Sequence, residues 1–165
     1  TNIPIVLFPG DYSQVTNNAD GLLFLSLLSG RNPEYLIEQQ IKAVPFLKNS
    51  NIEIIPTGYI LIDGGTNSSV LKVSKTTAIP QNNIELAVST AVAGMYKGKQ
   101  LIYLEAGSGA KFPVNSKLIS EVKKYINIPL IVGGGIKTKE QLNAAYNNGA
   151  DLVVIGTAFE NNIDL

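Results

Sequence analysis

Residues 129–160, PLIVGGGIKTKEQLNAAYNNGADLVVIGTAFE, read as strand, glycine turn, helix, tight turn, strand, glycine turn and helix start. Residues 129–132 are a continuous apolar run, the pattern of a parallel strand buried on both faces. Gly133, Gly134 and Gly135 follow at its C-terminal end. Thr138 is a good N-cap, with Gln141 three residues on as its capping-box partner. Asn147-Asn148-Gly149 stops the helix. Residues 151–155 form a second buried strand, closed by Gly156 and Thr157 as Gly134 and Gly135 close the first. The last two strands of a (β/α)8 barrel build a phosphate site in this way, with backbone N–H groups of both loops and a short extra helix turned toward one anion. The alternative is two ordinary βα turns that need glycine for backbone geometry alone. Glycines at the C-terminal ends of both strands favour the anion site.

Upstream, residues 3–8 (IPIVLF) read as a buried-type strand ended by Pro9-Gly10. Only about a dozen residues link it to the next strand at 21–27, less than a helical crossover needs. That link is expected to be irregular, with at most one helical turn at 12–15. A helix should start at Asn32-Pro33, with Leu36, Ile37, Ile41, Val44 and Leu47 at helical spacing and Pro45 kinking or shortening its last turn. Residues 52–62 form a third strand, in which Pro56 and Gly58 predict a bulge or an end. Residues 67–80 lack a helical period and read as a long functional loop. A helix through Tyr96, a strand at 100–105 and a helix at 115–126 complete the series. Six strands with intervening helices and glycines at strand C-termini favour a barrel over an open sheet. The chain therefore reads as one partial TIM-barrel domain over residues 1–165: strands three to eight, without the first two βα units or the last helix.

The composition narrows the chemistry. With 13 basic and 13 acidic residues the net charge is zero, which argues against a nucleic-acid surface. The absence of cysteine fits the cytoplasm and excludes thiol chemistry. The absence of histidine leaves acid–base work to carboxylates, lysines or tyrosines. No apolar run reaches the roughly 20 residues of a membrane span.

In YLEAGSG, Glu105 ends a buried strand, where barrel enzymes place catalytic side chains. Period-two alternation puts Tyr103 on the same face. Gly107-Ser108-Gly109 lets backbone amides approach an oxyanion, with the Ser108 hydroxyl as a further donor. The alternative is a structural Glu paired with a lysine and a flexible turn. Tyr59, in the PTGYI stretch, is available for packing or a hydrogen bond near a rim. Phe8, Tyr12, Tyr35 and Tyr96 are candidates for lining an apolar groove. Lys72 and Lys75 could meet a diphosphate, though solvated loop lysines account for them equally simply.

The combination IPTGYILIDGGT (55–66), YLEAGSGA (103–110), VGGGI (132–136) and VVIGTAFE (153–160) resembles the geranylgeranylglyceryl phosphate synthase family, heptaprenylglyceryl phosphate synthases included. GSGA resembles its larger, oligomer-forming branch. The resemblance implies a modified (β/α)8 TIM barrel whose third helix is replaced by an irregular segment, here 9–20. It implies transfer of a polyprenyl (geranylgeranyl) group from its diphosphate to the C3 hydroxyl of sn-glycerol 1-phosphate, forming an ether. It places glycerol-phosphate contacts at Tyr103, Leu104, Glu105, Ala106, Gly107, Ser108, Gly109, Gly134, Gly135, Gly156 and Thr157. Glu105 is then the group that hydrogen-bonds or deprotonates the acceptor hydroxyl, Tyr103 orients it, and Tyr35 is a candidate for measuring the tail. A homo-oligomer and peripheral membrane contact through the prenyl tail are also implied.

The family binds Mg2+ through an aspartate on its first strand and a hydroxyl residue after its second. Neither segment occurs here, and Asp11 and Asp63 lie in other units. No metal ligand is therefore expected within residues 1–165, and the chain alone is expected to be inactive. Two rivals remain: another phosphate-binding barrel enzyme (a sugar-phosphate isomerase, epimerase or lyase), favoured by a small closed polar pocket, and a non-catalytic partial barrel that binds a phosphate ligand.

Overall fold

The computed structural model describes residues 3–66 and 69–160. Six strands form one parallel sheet in chain order: β1 (Val6–Leu7), β2 (Gly21–Leu27), β3 (Glu53–Leu61), β4 (Leu101–Glu105), β5 (Leu130–Gly133) and β6 (Leu152–Val154). Each strand pairs with the next in sequence, with no switch point at which the order reverses. That order belongs to a section of a (β/α) barrel and not to a doubly wound sheet. The helices are α1 (Gln39–Leu47), α2 (Ser69–Ser74), α3 (Ile84–Tyr96), α4 (Ser116–Tyr125), α5 (Lys139–Asn147) and α6 (Thr157–Glu160).

Alternation along the strands sorts the side chains into two layers. Ile60, Ile102, Leu104, Leu130 and Val132 pack against Ala87 and Ala91 of α3, Leu118, Ile119 and Val122 of α4, and Ala145 of α5. Leu23, Leu27, Tyr59, Leu61, Tyr103 and Ile131 meet on the other face, in the barrel interior. Each large side chain fully buried in these layers contributes about 1.5–3 kcal/mol. The caps follow the sequence: Asn83 Oδ1 accepts from Leu86 N–H, Asn115 from Lys117 N–H, and Thr138 and Gln141 form a complete capping box. The link from β1 to β2 holds only a 3-10 turn, Tyr12–Gln14, capped by the Asp11 side chain.

Four expectations are corrected. The first strand spans two residues instead of six; of the stretch expected as buried strand, Ile3, Ile5, Val6 and Phe8 are exposed, from 44% at Phe8 to 75% at Ile3, and Leu7 is half-buried. It lies at the edge of the sheet, with a strand on one side only. Pro56 makes no bulge: β3 runs unbroken through nine residues. The Pro56 carbonyl accepts from Gln100 N–H at 2.8 Å, so its missing N–H would point to the same side, below the start of β4, where no ladder bond exists to lose. Residues 69–74, expected as loop, are helical in α2; Asn67 and Ser68 of that stretch lie outside the described residues. The helix after Asn32 opens with a π-turn, Glu34–Glu38, and then turns Gln40 and Ala43 inward, leaving Ile37, Ile41 and Val44 about half exposed. Pro45 lies in the last turn of α1, which closes two residues later at Leu47.

Candidate active site

In register, Tyr103 on β4 stands between Tyr59 on β3 and Ile131 on β5; one step up, Glu105 stands between Leu61 and Gly133. Gly133 makes room for both functional groups. A Cβ at that position would fall on the Tyr103 hydroxyl and lie 3.1 Å from Glu105 Oε2. Tyr103 is fully buried and Glu105 nearly so. Glu105 Oε1 accepts from the Gly107 N–H at 2.6 Å. The Tyr103 hydroxyl adjoins the same carboxyl without hydrogen-bond alignment, so it remains a buried polar atom with no partner. Such an atom is costly unless it is satisfied, and a substrate oxygen would satisfy it.

Burial pushes the Glu105 carboxyl above the ordinary carboxylate range, while the Tyr103 hydroxyl and the Gly107 N–H draw it partly back. Burial, and then the Glu105 charge, push the Tyr59 and Tyr103 phenols well up, so both stay protonated. Glu105 makes no ion pair among the described residues, where the side-chain pairs are Lys42–Glu34 and Lys123–Asp151. The described residues therefore give Glu105 no lysine partner of the kind a structural pair would need. A carboxylate made more basic by burial, beside a phenol that stays protonated and can donate, is suited to taking a proton from a substrate hydroxyl.

The glycine loops converge on this carboxyl. Gly107, Gly109, Gly134 and Gly135 all have positive φ. At Gly134 a Cβ would fall on Glu105 Oε1 and lie 2.6 Å from Gly107 N; at Gly135 it would lie 2.8 Å from the Phe112 backbone. Backbone geometry therefore demands glycine at both positions, in line with the plainer reading of the sequence. The N–H groups of Gly134 and Gly135 nonetheless donate to no acceptor among the described residues, and both glycines line the cavity. They remain available to an anion. Gly107 plays another part than the sequence suggests, since its N–H is spent on Glu105. Ser108, Gly109 and Gly156 line the cavity. Leu104 and Ala106 turn to the helix-side core. Thr157 opens α6, and its side chain lies outside the described residues.

The cavity measures about 580 Å³. Glu105 and the glycine loops line it together with the apolar side chains Leu23, Leu25, Tyr35, Ala43, Val70 and Val73. Phe8 and Tyr12 also line it, whereas Tyr96 is 82% exposed on α3 and lies elsewhere. Lys72 and Lys75 are exposed and absent from the lining; the cation that lines it is Lys137. The residues missed in the sequence are Lys137, Gly133 and the anchors of the loop after β4. That loop is held by the Gly64 carbonyl, which accepts from Lys111 N–H at 2.9 Å and Phe112 N–H at 3.0 Å. Gln81 bridges the Pro113 carbonyl and the Asn115 N–H. Asp63-Gly64-Gly65 announces a turn in the sequence, but no local signal names its partner.

Among the described residues no three Asp, Glu, His or Cys side chains gather as a metal site. Asp11 and Asp63 are each spent in a local turn, on Ser13 and Gly65 respectively. No step through a metal can be assigned to these residues.

A buried carboxylate at the strand ends of a parallel sheet, with glycine loops around it and a mostly apolar cavity beside it, defines an α/β partial-barrel protein with a candidate site at its strand C-termini. The chain belongs to the PcrB family, whose model matches residues 1–165. It is 66% identical over 161 residues to the geranylgeranylglyceryl phosphate synthase of Zunongwangia profunda, covering 98% of this chain and 69% of that protein. To the geranylgeranylglyceryl phosphate synthase of Thermococcus kodakarensis it is 44% identical over 160 residues, covering 97% and 63%. A crystal structure of (S)-3-O-geranylgeranylglyceryl phosphate synthase from Thermoplasma acidophilum, in complex with its substrate sn-glycerol-1-phosphate, superimposes with a TM-score of 0.91 at 39% identity, covering 97% of this chain and 64% of that one. The chain thus spans about two thirds of the length of the relatives it matches.

Proposed function

We propose that the protein containing this chain transfers a polyprenyl group, geranylgeranyl in the first instance, from its diphosphate to the C3 hydroxyl of sn-glycerol 1-phosphate, forming an ether. The observation that carries this reading is a mostly apolar cavity lined also by a buried, basic carboxylate and by glycine loops. The names of the relatives and the substrate of the Thermoplasma enzyme support it. A sugar-phosphate isomerase would want a small polar pocket, and this cavity is neither small nor polar.

In the proposed complex the acceptor phosphate lies against the N–H groups of Gly134 and Gly135 and the loops at Ser108, Gly109 and Gly156. Lys137 contributes the countercharge. The glycerol hydroxyl hydrogen-bonds to Glu105, which takes its proton, while Tyr103 donates to a glycerol oxygen and fixes its position. The prenyl tail lies along Leu25, Tyr35 and Ala43. Mg2+, if the whole protein uses it, would supply countercharge for the diphosphate, and no group of Asp or Glu among the described residues would hold it. A single barrel domain, a cytoplasmic location and self-association through the exposed stripe Ile37, Ile41 and Val44 belong to the same reading. No helix among the described residues is long and apolar enough to cross a membrane.

The test is an assay of the whole protein with sn-glycerol 1-phosphate, prenyl diphosphates of graded length and Mg2+. Absence of ether product at every chain length, from a folded protein, would sink the reading.

A further inference from the structure

Where β1 ends, the chain carries Phe8 into the cavity beside two interior tyrosines. The Phe8 ring centroid lies 5.2 Å from that of Tyr103 and 5.8 Å from that of Tyr59, and the two tyrosine rings meet edge-on at 5.2 Å. Tyr103 is fully buried and Tyr59 is 5% exposed, while Phe8 keeps 44% of its surface free and lines the cavity with Glu105. Elsewhere the interior is filled by Leu23, Leu27, Leu61 and Ile131, so aliphatic side chains suffice for packing. Of these three rings in mutual contact, Phe8 is the one with free surface, it lines the same cavity as the Glu105 carboxyl, and the face of such a ring attracts a cation.

Resting on the transfer reaction proposed above, we propose that Phe8 is a catalytic residue whose ring, backed by Tyr59 and Tyr103, stabilises positive charge developing on the allylic carbons of the donor. In that reaction the bond between the allylic C1 and the diphosphate oxygen breaks, and its electron pair leaves on inorganic diphosphate. The positive charge spreads over C1 and C3 of the allyl unit, against the face of Phe8. A lone pair of the glycerol C3 hydroxyl closes the new C–O bond at C1, and the hydroxyl proton passes to the Glu105 carboxylate. The charge exists only between these events, so an attractive π face acts on the transition state more than on bound substrate. The arrangement is an electrostatic one, worth more in a water-poor cavity than on a surface.

The test replaces Phe8 in the whole protein by phenylalanines carrying one, two and three ring fluorines, introduced site-specifically. Fluorine drains the ring quadrupole while shape and apolar character barely change, so folding and packing are preserved. The single-turnover rate of ether formation is measured with saturating sn-glycerol 1-phosphate and geranylgeranyl diphosphate. A stepwise fall in that rate, reaching roughly tenfold or more at three fluorines, with unchanged half-saturation for the diphosphate, is the expected result. Phe8→Leu is expected to match or exceed the loss at three fluorines. A flat single-turnover rate across the fluorinated series, or a loss confined to half-saturation, would overturn the proposal while leaving the transfer reaction standing. Absence of ether from the unsubstituted protein would instead remove the transfer reading and this inference with it.

Discussion

Glu105 concentrates the chemistry of the site in one carboxyl, and its burial has a consequence that pH can expose. Its folded pKa is raised, so between the unfolded and folded values the native state holds the extra proton and stability falls as pH rises through that window. Glu105→Gln keeps the shape and the acceptor for the Gly107 N–H, so it should flatten that part of the stability–pH curve and leave the neutral protein at least as stable. Thermal unfolding of the two proteins across the acid range checks this. The same raised pKa places the acid limb of turnover above that of an ordinary carboxylate, and Glu105→Gln should lower the rate by about 100-fold or more. At Gly133 the demand is purely steric. Gly133→Ala should cost about 1–3 kcal/mol and turnover with it, because the new methyl meets the Tyr103 hydroxyl at the end of a rigid ring. Gly98→Ala, with positive φ but open space around it, should cost only about 1–2 kcal/mol and spare the site. Denaturant unfolding and turnover measured side by side separate the two. Tyr103 and Glu105 can be recognised in the sequence because strand alternation is local; Gly133 cannot, because its need for room comes from another strand.

The helix after β2 shows where element-level reading reaches its limit. The sequence offers one apolar set along it at helical spacing, Leu36, Ile37, Ile41, Val44 and Leu47, as the core face. The structure instead buries Gln40 and Ala43, half-buries Leu36 and Leu47 and leaves Ile37, Ile41 and Val44 exposed, after a π-turn in which Gln39 N–H bonds back to the Glu34 carbonyl. Gln40 then donates to the Leu25 carbonyl on β2. Ile41→Lys should therefore change the stability of the chain by no more than about 0.5 kcal/mol, while weakening self-association in sedimentation velocity. Ala43→Lys should destabilise it by several-fold more and obstruct the cavity. At the other end of the chain, where caps are local, sequence and structure agree directly. Thr138→Ala should cost about 1 kcal/mol through loss of the capping box, with turnover unchanged.

For the molecule as a whole, the sheet presents β1 as a short edge, with exposed Val6 on the strand and exposed Ile5 just before it. Residues 1–165 produced alone should self-associate with rising concentration through that edge. They should bind sn-glycerol 1-phosphate, seen by calorimetry, without forming ether when prenyl diphosphate and Mg2+ are added. Turnover by these residues alone would show that the expected metal ligands need not lie elsewhere.

The amino-acid sequence by itself determined the order and kind of most elements, the strand ends that carry glycine, the helix caps and the pairing of Tyr103 with Glu105 on one strand face. All of these depend on neighbours within a turn or two along the chain. Only the tertiary structure decided that Pro56 is harmless, that Gln40 and Ala43 face inward, that Gly64 and Gln81 brace the loop after β4, and that Phe8 meets two tyrosines one step below a buried carboxylate. Each of these depends on which strand lies alongside and where that strand begins, and periodicity within one segment carries no information about either.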